Sequence, residues 1–350
     1  MLFMKIAMCA DLHLCSAEAD WSLALLEEIV RKAERETTLL VIGGDLFDSL
    51  DDASALRDAY ARIVERSGLA KVIWTAGNHD VKNPSGKRAL ARLEDLSFGE
   101  KTKLVLPRAE GNPLFLFTLP DLEIAVLPFM ENPRWYEYSQ IEPKKTKRIL
   151  VAHGMHADCA IAPEEENCLF PKNFERLFDA DYMLLGHIHK HVMTCAYCYP
   201  GSARVWRRGE TGEHGFVVFD TSTNSAQFRV LEQGGFGYEL ELFVSGSLPE
   251  ISLPDKERLV VDCTLSGVVD NDAARKTCLQ KTKECLETRA FRFSIDEKQL
   301  YTIESLMKLP AWETFNRELE RRMAEAPEQK ENFELARRIF LEKLIASRQF

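Results

Sequence analysis

Gly77-Asn78-His79-Asp80 sets an amide oxygen, a titratable ring and a carboxylate side by side, directly after the apolar run Lys71-Val72-Ile73-Trp74-Thr75-Ala76. Such groups pack poorly in a core, and the carboxyl end of a buried strand is where open α/β folds put their chemistry. Alone, the tetrapeptide reads equally as a turn, since Gly and Asn favour turns. Other apolar runs end in a similar way: Asp11 and His13 after the first, Asp45 after the second, then His153, and His187 with His189. Imidazole, carboxylate and one amide oxygen, with no thiolate, suit a borderline or hard divalent ion such as manganese, iron or zinc. The set is too large for one tetrahedral ion and large enough for two that share a carboxylate. Two ions about 4 Å apart activate water and neutralise charge in an in-line phosphoryl displacement.

Parallel strands emit their carboxyl ends along one sheet edge, so residues distant in sequence converge there. Strands are expected at 3–9, 39–42 and 71–76, with helices over about 20–36 and 53–66 between them. Trp21, Leu25 and Ile29 recur at helical spacing in the first helix. This β-α-β-α-β rhythm, with continuously apolar strands, predicts a parallel sheet covered on both faces. Further strands are expected at 104–106, 114–119, 123–129, 148–152 and 182–185, with closing antiparallel strands near 199–202, 216–219 and 226–231. The glycine cluster Gln233-Gly234-Gly235-Phe236-Gly237 is the best candidate boundary. Beyond it, three strands and a helix over about 272–287 predict a small α+β unit. Leu309-Pro310 then opens a two-helix tail, with stripes of Trp312, Phe315, Leu319 and Met323, then Phe333, Ala336, Phe340 and Leu344. The expected domains are 1–233, 237–305 and 309–350.

A chain of 350 residues is long for one core. Its net charge of −10 counts against a nucleic-acid binder held by a general basic surface, unless metal ions supply positive charge at the site. No apolar run approaches the length of a membrane span. Met1 to Cys9 is apolar but short and contains Lys5, which fits a first strand better than a signal peptide. The nine cysteines are scattered, and Cys195 and Cys198 form the one C-x-x-C. Reduced thiols in a cytoplasmic protein are expected, with Cys9, Cys263, Cys278 and Cys285 as small core residues. Lys144, Lys145, Lys147 and Arg148 read as a solvated loop before a strand. Arg204, Arg207 and Arg208, after the turn Tyr199-Pro200-Gly201-Ser202, are the better phosphate contacts. Trp135, Tyr136 and Tyr138 suit base stacking or a core equally. His156 and His191 read as near-site or surface residues and His214 as a turn residue.

Five motifs in order, Asp11-x-His13, Gly44-Asp45, Gly77-Asn78-His79-Asp80, His153 and Gly186-His187-Ile188-His189, resemble the calcineurin-like metallophosphoesterases over roughly the first 230 residues. The resemblance implies a sandwich of mixed β-sheets flanked by helices. It assigns Asp11, His13 and His189 to one metal ion, Asn78, His153 and His187 to a second, and Asp45 to a bridge between them. His79 becomes the non-ligand histidine that protonates the leaving oxygen, oriented by Asp80. Asp-Leu-His-Leu, Gly-Asp-Leu-Phe-Asp and Tyr-Pro-Gly-Ser look like the DNA double-strand-break repair nuclease branch, whose bacterial members are SbcD-like exonuclease subunits. Asp48 stands where archaeal and eukaryotic members carry a second active-site histidine, which fits the bacterial type. That branch implies two divalent ions, most often Mn2+. Its partners are DNA (duplex ends and single-stranded segments), contacted here through Arg204, Arg207 and Arg208, and a second copy of the chain. It also implies a capping domain at 237–305 and an SbcC-like SMC-family ATPase gripped by 309–350, with no membrane. The core motifs are also those of phosphoesterases acting on small phosphoesters or phosphoproteins, and a mainly scaffolding subunit is a third reading.

Overall fold

Strand β1 (Lys5–Cys9) buries Ile6 and Met8 on one face and Ala7 and Cys9 on the other, so it must be covered on both sides. In the computed structural model, which describes residues 4–81, 93–107, 114–133, 143–159, 168–171, 173–245 and 247–347, the two covers differ in kind. Strands β2 (Leu39–Ile42), β3 (Lys71–Thr75) and β4 (Thr102–Val105) follow β1 in parallel. Helices α1 (Ala19–Ala33) and α2 (Leu50–Arg66) pack on one face of this sheet. Leu25, Leu26 and Ile29 of α1, with Leu56, Tyr60 and Val64 of α2, meet Ala7, Leu40, Val72 and Trp74 there. Ser49 starts α2 by accepting a hydrogen bond from the Asp52 amide at 3.2 Å. Both helices lie close to their expected positions.

The other face is covered by a second sheet. It contains β5 (Phe115–Leu119), β6 (Leu122–Leu127), β7 (Lys147–His153), β8 (Tyr182–Gly186), β9 (Val192–Met193) and β10 (Tyr197–Tyr199), in the order β5-β6-β7-β8-β10-β9. Pairing is parallel from β6 through β8 to β10, with antiparallel strands at both edges. After β11 (Gly212–Glu213), strands β12 (Gly215–Asp220) and β13 (Ser225–Val230) close the first sheet antiparallel to β1, giving the order β13-β12-β1-β2-β3-β4. Ile6, Met8, Val41 and Ile73 face Ile124, Val126, Ile149, Val151 and Leu184 between the sheets. Leu150, Met183 and Leu185 point outward, onto Phe170, Phe174 and Phe178. The result is a mixed α/β sandwich flanked by helices, as the resemblance implies. The parallel rhythm of the first strands was legible, but their inner cover is a sheet.

The chain divides into two compact units, Met1–Phe236 and Gly237–Phe350. In the second, β14 (Phe236–Ser245), β15 (Leu259–Val269) and β16 (Arg292–Thr302) lie in that order. Strands β15 and β16 are parallel, which demands a crossover, and the helix Asp272–Arg289 provides it. Pro310 opens a helix to Glu325, and Pro327 lies in the break before the helix Lys330–Ser347. Trp312, Phe315 and Phe340 pack across this pair, with Phe315 and Phe340 stacked at 3.9 Å. Trp135, Tyr136, Tyr138 and the side chain of Leu344 lie outside the described residues. All nine cysteines are free; Cys9, Cys198, Cys263 and Cys278 are buried, and Cys195 is exposed. Among the described residues no helix is long and apolar enough to cross a membrane.

Candidate metal centre

The carboxyl ends of β1, β2, β3, β7 and β8 converge on one point. The loops after β1 and β2 run side by side, with the Asp11 and His13 amides donating to the Gly44 and Asp45 carbonyls at 3.0 Å. The two sheets approach so closely there that a Cβ on Gly186 would lie 1.9 Å from the Gly43 carbonyl oxygen. A Cβ on Gly77 would lie 2.1 Å from Asp45 Oδ1, so the strand end admits only glycine. Asp11, His13, Asp45 and His187 all hold positive φ, of 51°, 44°, 50° and 103°. Left-handed backbone at a residue with a side chain costs of order 1–3 kcal/mol, and here it turns four side chains toward the same place.

Two groups result. In the first, His13 Nε2 lies 3.3 Å from His189 Nε2, and His189 Nε2 lies 3.7 Å from Asp11 Oδ1. In the second, Asn78 Oδ1 lies 3.1 Å from His153 Nε2 and 3.0 Å from His187 Nδ1. Asp45 Oδ2 is 4.0 Å from His13 Nε2 and 3.6 Å from His153 Nε2, within reach of both groups. The structure therefore brings together all seven residues that the sequence singled out as ligands.

Hydrogen bonds on the outer ring nitrogens decide what this cluster can do. His153 Nδ1 lies 2.7 Å from the Gly43 carbonyl, which can only accept, so that nitrogen carries the proton. His189 Nδ1 meets the Glu210 carboxylate, and His13 Nδ1 lies 3.3 Å from Asp48 Oδ1. His13 Nδ1 lies near Asp48 without a hydrogen bond, while in the neutral tautomers so selected His153 and His189 turn an unprotonated Nε2 inward. Asp11 Oδ1 is buried there without a hydrogen-bond donor. Burial pushes His187 down to about 3, so this ring too is neutral. Asp45 Oδ1 accepts the His79 amide at 2.8 Å, which fixes this carboxylate between the two groups. Lone pairs facing lone pairs in a buried space are repulsive unless a cation lies among them, so these donors fit two divalent ions. Asp11, His13 and His189 would hold one, and Asn78, His153 and His187 the other.

A third triplet, His13, Asp48 and His79, also places its polar atoms close together. Here His79 Nδ1 lies 3.0 Å from the Asp48 carbonyl oxygen and is protonated for the same reason as His153, so that nitrogen is not offered as a ligand. This corrects the expectation for Asp80. Its Oδ2 accepts from the Asp45 amide at 2.9 Å, the Gly77 amide at 2.8 Å and Trp74 Nε1 at 3.3 Å, and it does not touch the His79 ring. Asp80 fixes the backbone that carries Asp45, while Asp48 orients His79.

Arg204 is also corrected. It is fully buried, its guanidinium lies between the Trp21 and Trp206 rings at 4.7 and 4.6 Å, and it donates to the His13 carbonyl at 2.7 Å and to Glu18 at 3.0 Å. A guanidinium so committed has no face for DNA. Arg207 and Arg208 are exposed and, with Lys190, line a cleft of about 690 Å3 that also holds His187, His189 and Glu210. Arg148 is not in a solvated loop: it sits opposite Glu123 in the sheet and donates to it from Nε at 2.8 Å, with both residues buried. Lys144 pairs with Asp181 at 2.6 Å. His156 packs on Tyr197, and His191 on Phe228. His214 is buried against Ser202 and is no ligand. Among the described residues no cysteine joins a metal-capable group. Glu210 and Trp206 escaped the sequence reading; the available signal was a lone carboxylate closing a basic segment after the Pro-Gly-Ser turn.

No curated protein matches the chain in sequence. Among solved structures it is similar to a purple acid phosphatase from yellow lupin seeds, at 12% identity and a TM-score of 0.44 over 67% of this chain and 52% of that one. It thus spans about half the length of the lupin enzyme. A dimetal phosphatase from Danio rerio is 14% identical, with a TM-score of 0.37 over 61% of this chain and 91% of the other. GAP50, the anchor in the inner membrane complex of Plasmodium, is 12% identical, with a TM-score of 0.41 over 85% and 98%. The model of the calcineurin-like phosphoesterases matches residues 4–191, more than half of the chain and the span that contains all seven candidate ligands. Sandwich, strand-end donors and sequence match agree, and the chain belongs to the calcineurin-like phosphoesterase family.

Proposed function

We propose that the chain is a manganese-dependent phosphodiesterase acting on DNA ends, the nuclease subunit of a cytoplasmic complex with an SMC-like ATPase. The observation that carries this reading is the cleft beside the metal centre, where Lys190, Arg207 and Arg208 share one space with His187 and His189. Cationic groups next to the reacting phosphate suit a polyanion whose neighbouring phosphates also need neutralising, which a small phosphomonoester does not have. The order of the five motifs and the Tyr199-Pro200-Gly201-Ser202 turn support the same branch. Free thiols throughout favour a reducing compartment. For the partner, the support is the last helix, where Leu335 and Ile339 lie one turn apart and are exposed. A second copy of the chain completes the proposed assembly.

Two bound ions would supply a water nucleophile at neutral pH and neutralise charge on the phosphoryl oxygens. The chain's own residues do the rest. Asp11, Asp45, Asn78 and the four histidines hold the donor geometry. Arg207, Arg208 and Lys190 seat the flanking phosphates. As a water oxygen bonds to phosphorus and releases its proton to solvent, the bond to the sugar oxygen breaks, and the doubly protonated ring of His79, its Nδ1–H held by the Asp48 carbonyl, gives the departing oxygen a proton from Nε2.

A substrate panel tests the reading. With Mn2+, labelled duplex ends should be degraded and a chromogenic phosphodiester hydrolysed, with phosphomonoesters turned over poorly. Strong phosphomonoester turnover with no cutting of DNA would replace the nuclease with a small-molecule phosphatase.

A further inference from the structure

We propose that the segment 202–210 is a positioning device for one half of the metal centre, acting through Glu210. It sets the affinity of the Asp11/His13/His189 group and leaves the Asn78/His153/His187 group to other elements; this rests on the two-ion reading above.

The hydrogen bonds and ring contacts that the segment makes to candidate ligands fall on the same half. Glu210 Oε1 meets His189 Nδ1 and so turns Nε2 toward Asp11 and His13. Its second oxygen is anchored by the Trp206 amide at 2.6 Å and Ser202 Oγ at 3.4 Å, so the carboxylate cannot swing away. Trp206 stacks on the His13 ring at 5.4 Å with the planes 3° apart. Arg204, between Trp21 and Trp206, holds the His13 carbonyl. Both histidines of the first group are thus gripped by one loop, His189 by its far nitrogen and His13 by its ring face and backbone. In the second group His153 is set by the Gly43 carbonyl, and the amide of His187 by Asp11.

A carboxylate on the far nitrogen of a ligating histidine fixes the ring and raises its basicity, and losing it typically costs 10–100-fold in metal affinity. The test is calorimetric titration of metal-stripped protein with Mn2+, with electron paramagnetic resonance at two equivalents. Wild type should bind two ions and give a spin-coupled pair. Glu210→Ala should bind one ion as before and the other roughly 10–100-fold more weakly, giving the spectrum of an isolated ion. Glu210→Gln keeps one acceptor for His189 and should weaken the same ion less, by at most about 10-fold. It decides the matter if circular dichroism shows the Ala variant unfolded. Two ions bound at wild-type strength in both variants, or both ions weakened alike, overturns the proposal. A wild-type protein that binds fewer than two ions overturns the two-ion reading itself, and this proposal with it.

Discussion

His79 sits beside the donor cluster without being part of it. Its ring lies 4.7 Å from that of His13, edge to face, and its Nδ1 is spent on the Asp48 carbonyl. The ring is partly exposed, unlike the buried His13 and His153, as a group that must meet substrate requires. Removing it should therefore separate catalysis from metal content. His79→Ala is expected to keep both ions while kcat falls about 10²–10⁴-fold, the usual contribution of a positioned proton donor. Metal analysis beside steady-state kinetics checks this, and loss of an ion in that variant would cancel the role assigned. Asp80 has the opposite character. Burial and the neighbouring Asp45 push it up to about 7, and its hydrogen bonds go to backbone amides and an indole, so it shapes the site from behind.

Helix α1 does more than cover the first sheet. Trp21 Nε1 donates to the Gln233 carbonyl at 2.5 Å, and Glu28 accepts from the Glu232 and Gln233 amides at 3.0 and 2.7 Å while pairing with Lys32. One helix thereby fastens the end of the first unit to its beginning, and Trp21 is also one wall of the Arg204 sandwich. Burial alone would raise the Glu28 carboxyl, but the bonds from Lys32 and the two amides outweigh it and hold it below its ordinary 4.5. A carboxyl more acidic when folded contributes stability above its unfolded pKa and loses it as pH falls through the folded value. Glu28→Gln leaves one acceptor for two amides, so it should cost about 1–3 kcal/mol at pH 7. The gap between wild-type and variant stability should shrink as pH falls from 4.5 through the lowered value of the folded carboxyl. A difference that persists unchanged at pH 3 would show that packing, not the charge, is what Glu28 contributes.

At the scale of the molecule, all seven candidate ligands lie in the first compact unit, whereas the helical pair belongs to the second. Metal loading and partner capture should therefore be separable. If the proposed function holds, a chain ending at 308 is expected to keep two ions and phosphodiester hydrolysis and to lose co-purification with the proposed SMC-like ATPase. Retained capture would make the helices plain core. Ions that bind only the folded chain stabilise it by about 2.7 kcal/mol per site at a hundredfold excess over Kd. Chelation should accordingly lower the Tm of full-length and shortened chains alike.

Strand positions, helix positions and the seven donor residues were legible because each is a local property. Apolar runs mark buried strands, and groups that pack badly stand out at their ends. Asp11, Asp45, Asn78 and the histidines needed no knowledge of their neighbours to be noticed. Which atom each group faces is a different matter. Asp80 adjoins His79 in the chain yet turns to Asp45, Gly77 and Trp74, while Asp48, thirty-one positions earlier, takes the ring. Arg204 resembles Arg207 and Arg208 in sequence yet is walled in by two tryptophans. Glu210 finds His189 because the turn at Gly201, where φ is +84°, brings the segment back to the sheet edge. Such pairings depend on left-handed residues, on glycine contacts between two sheets and on loops closing over long separations. A linear pattern names the side chains available, but only packing in three dimensions sets which of them meet.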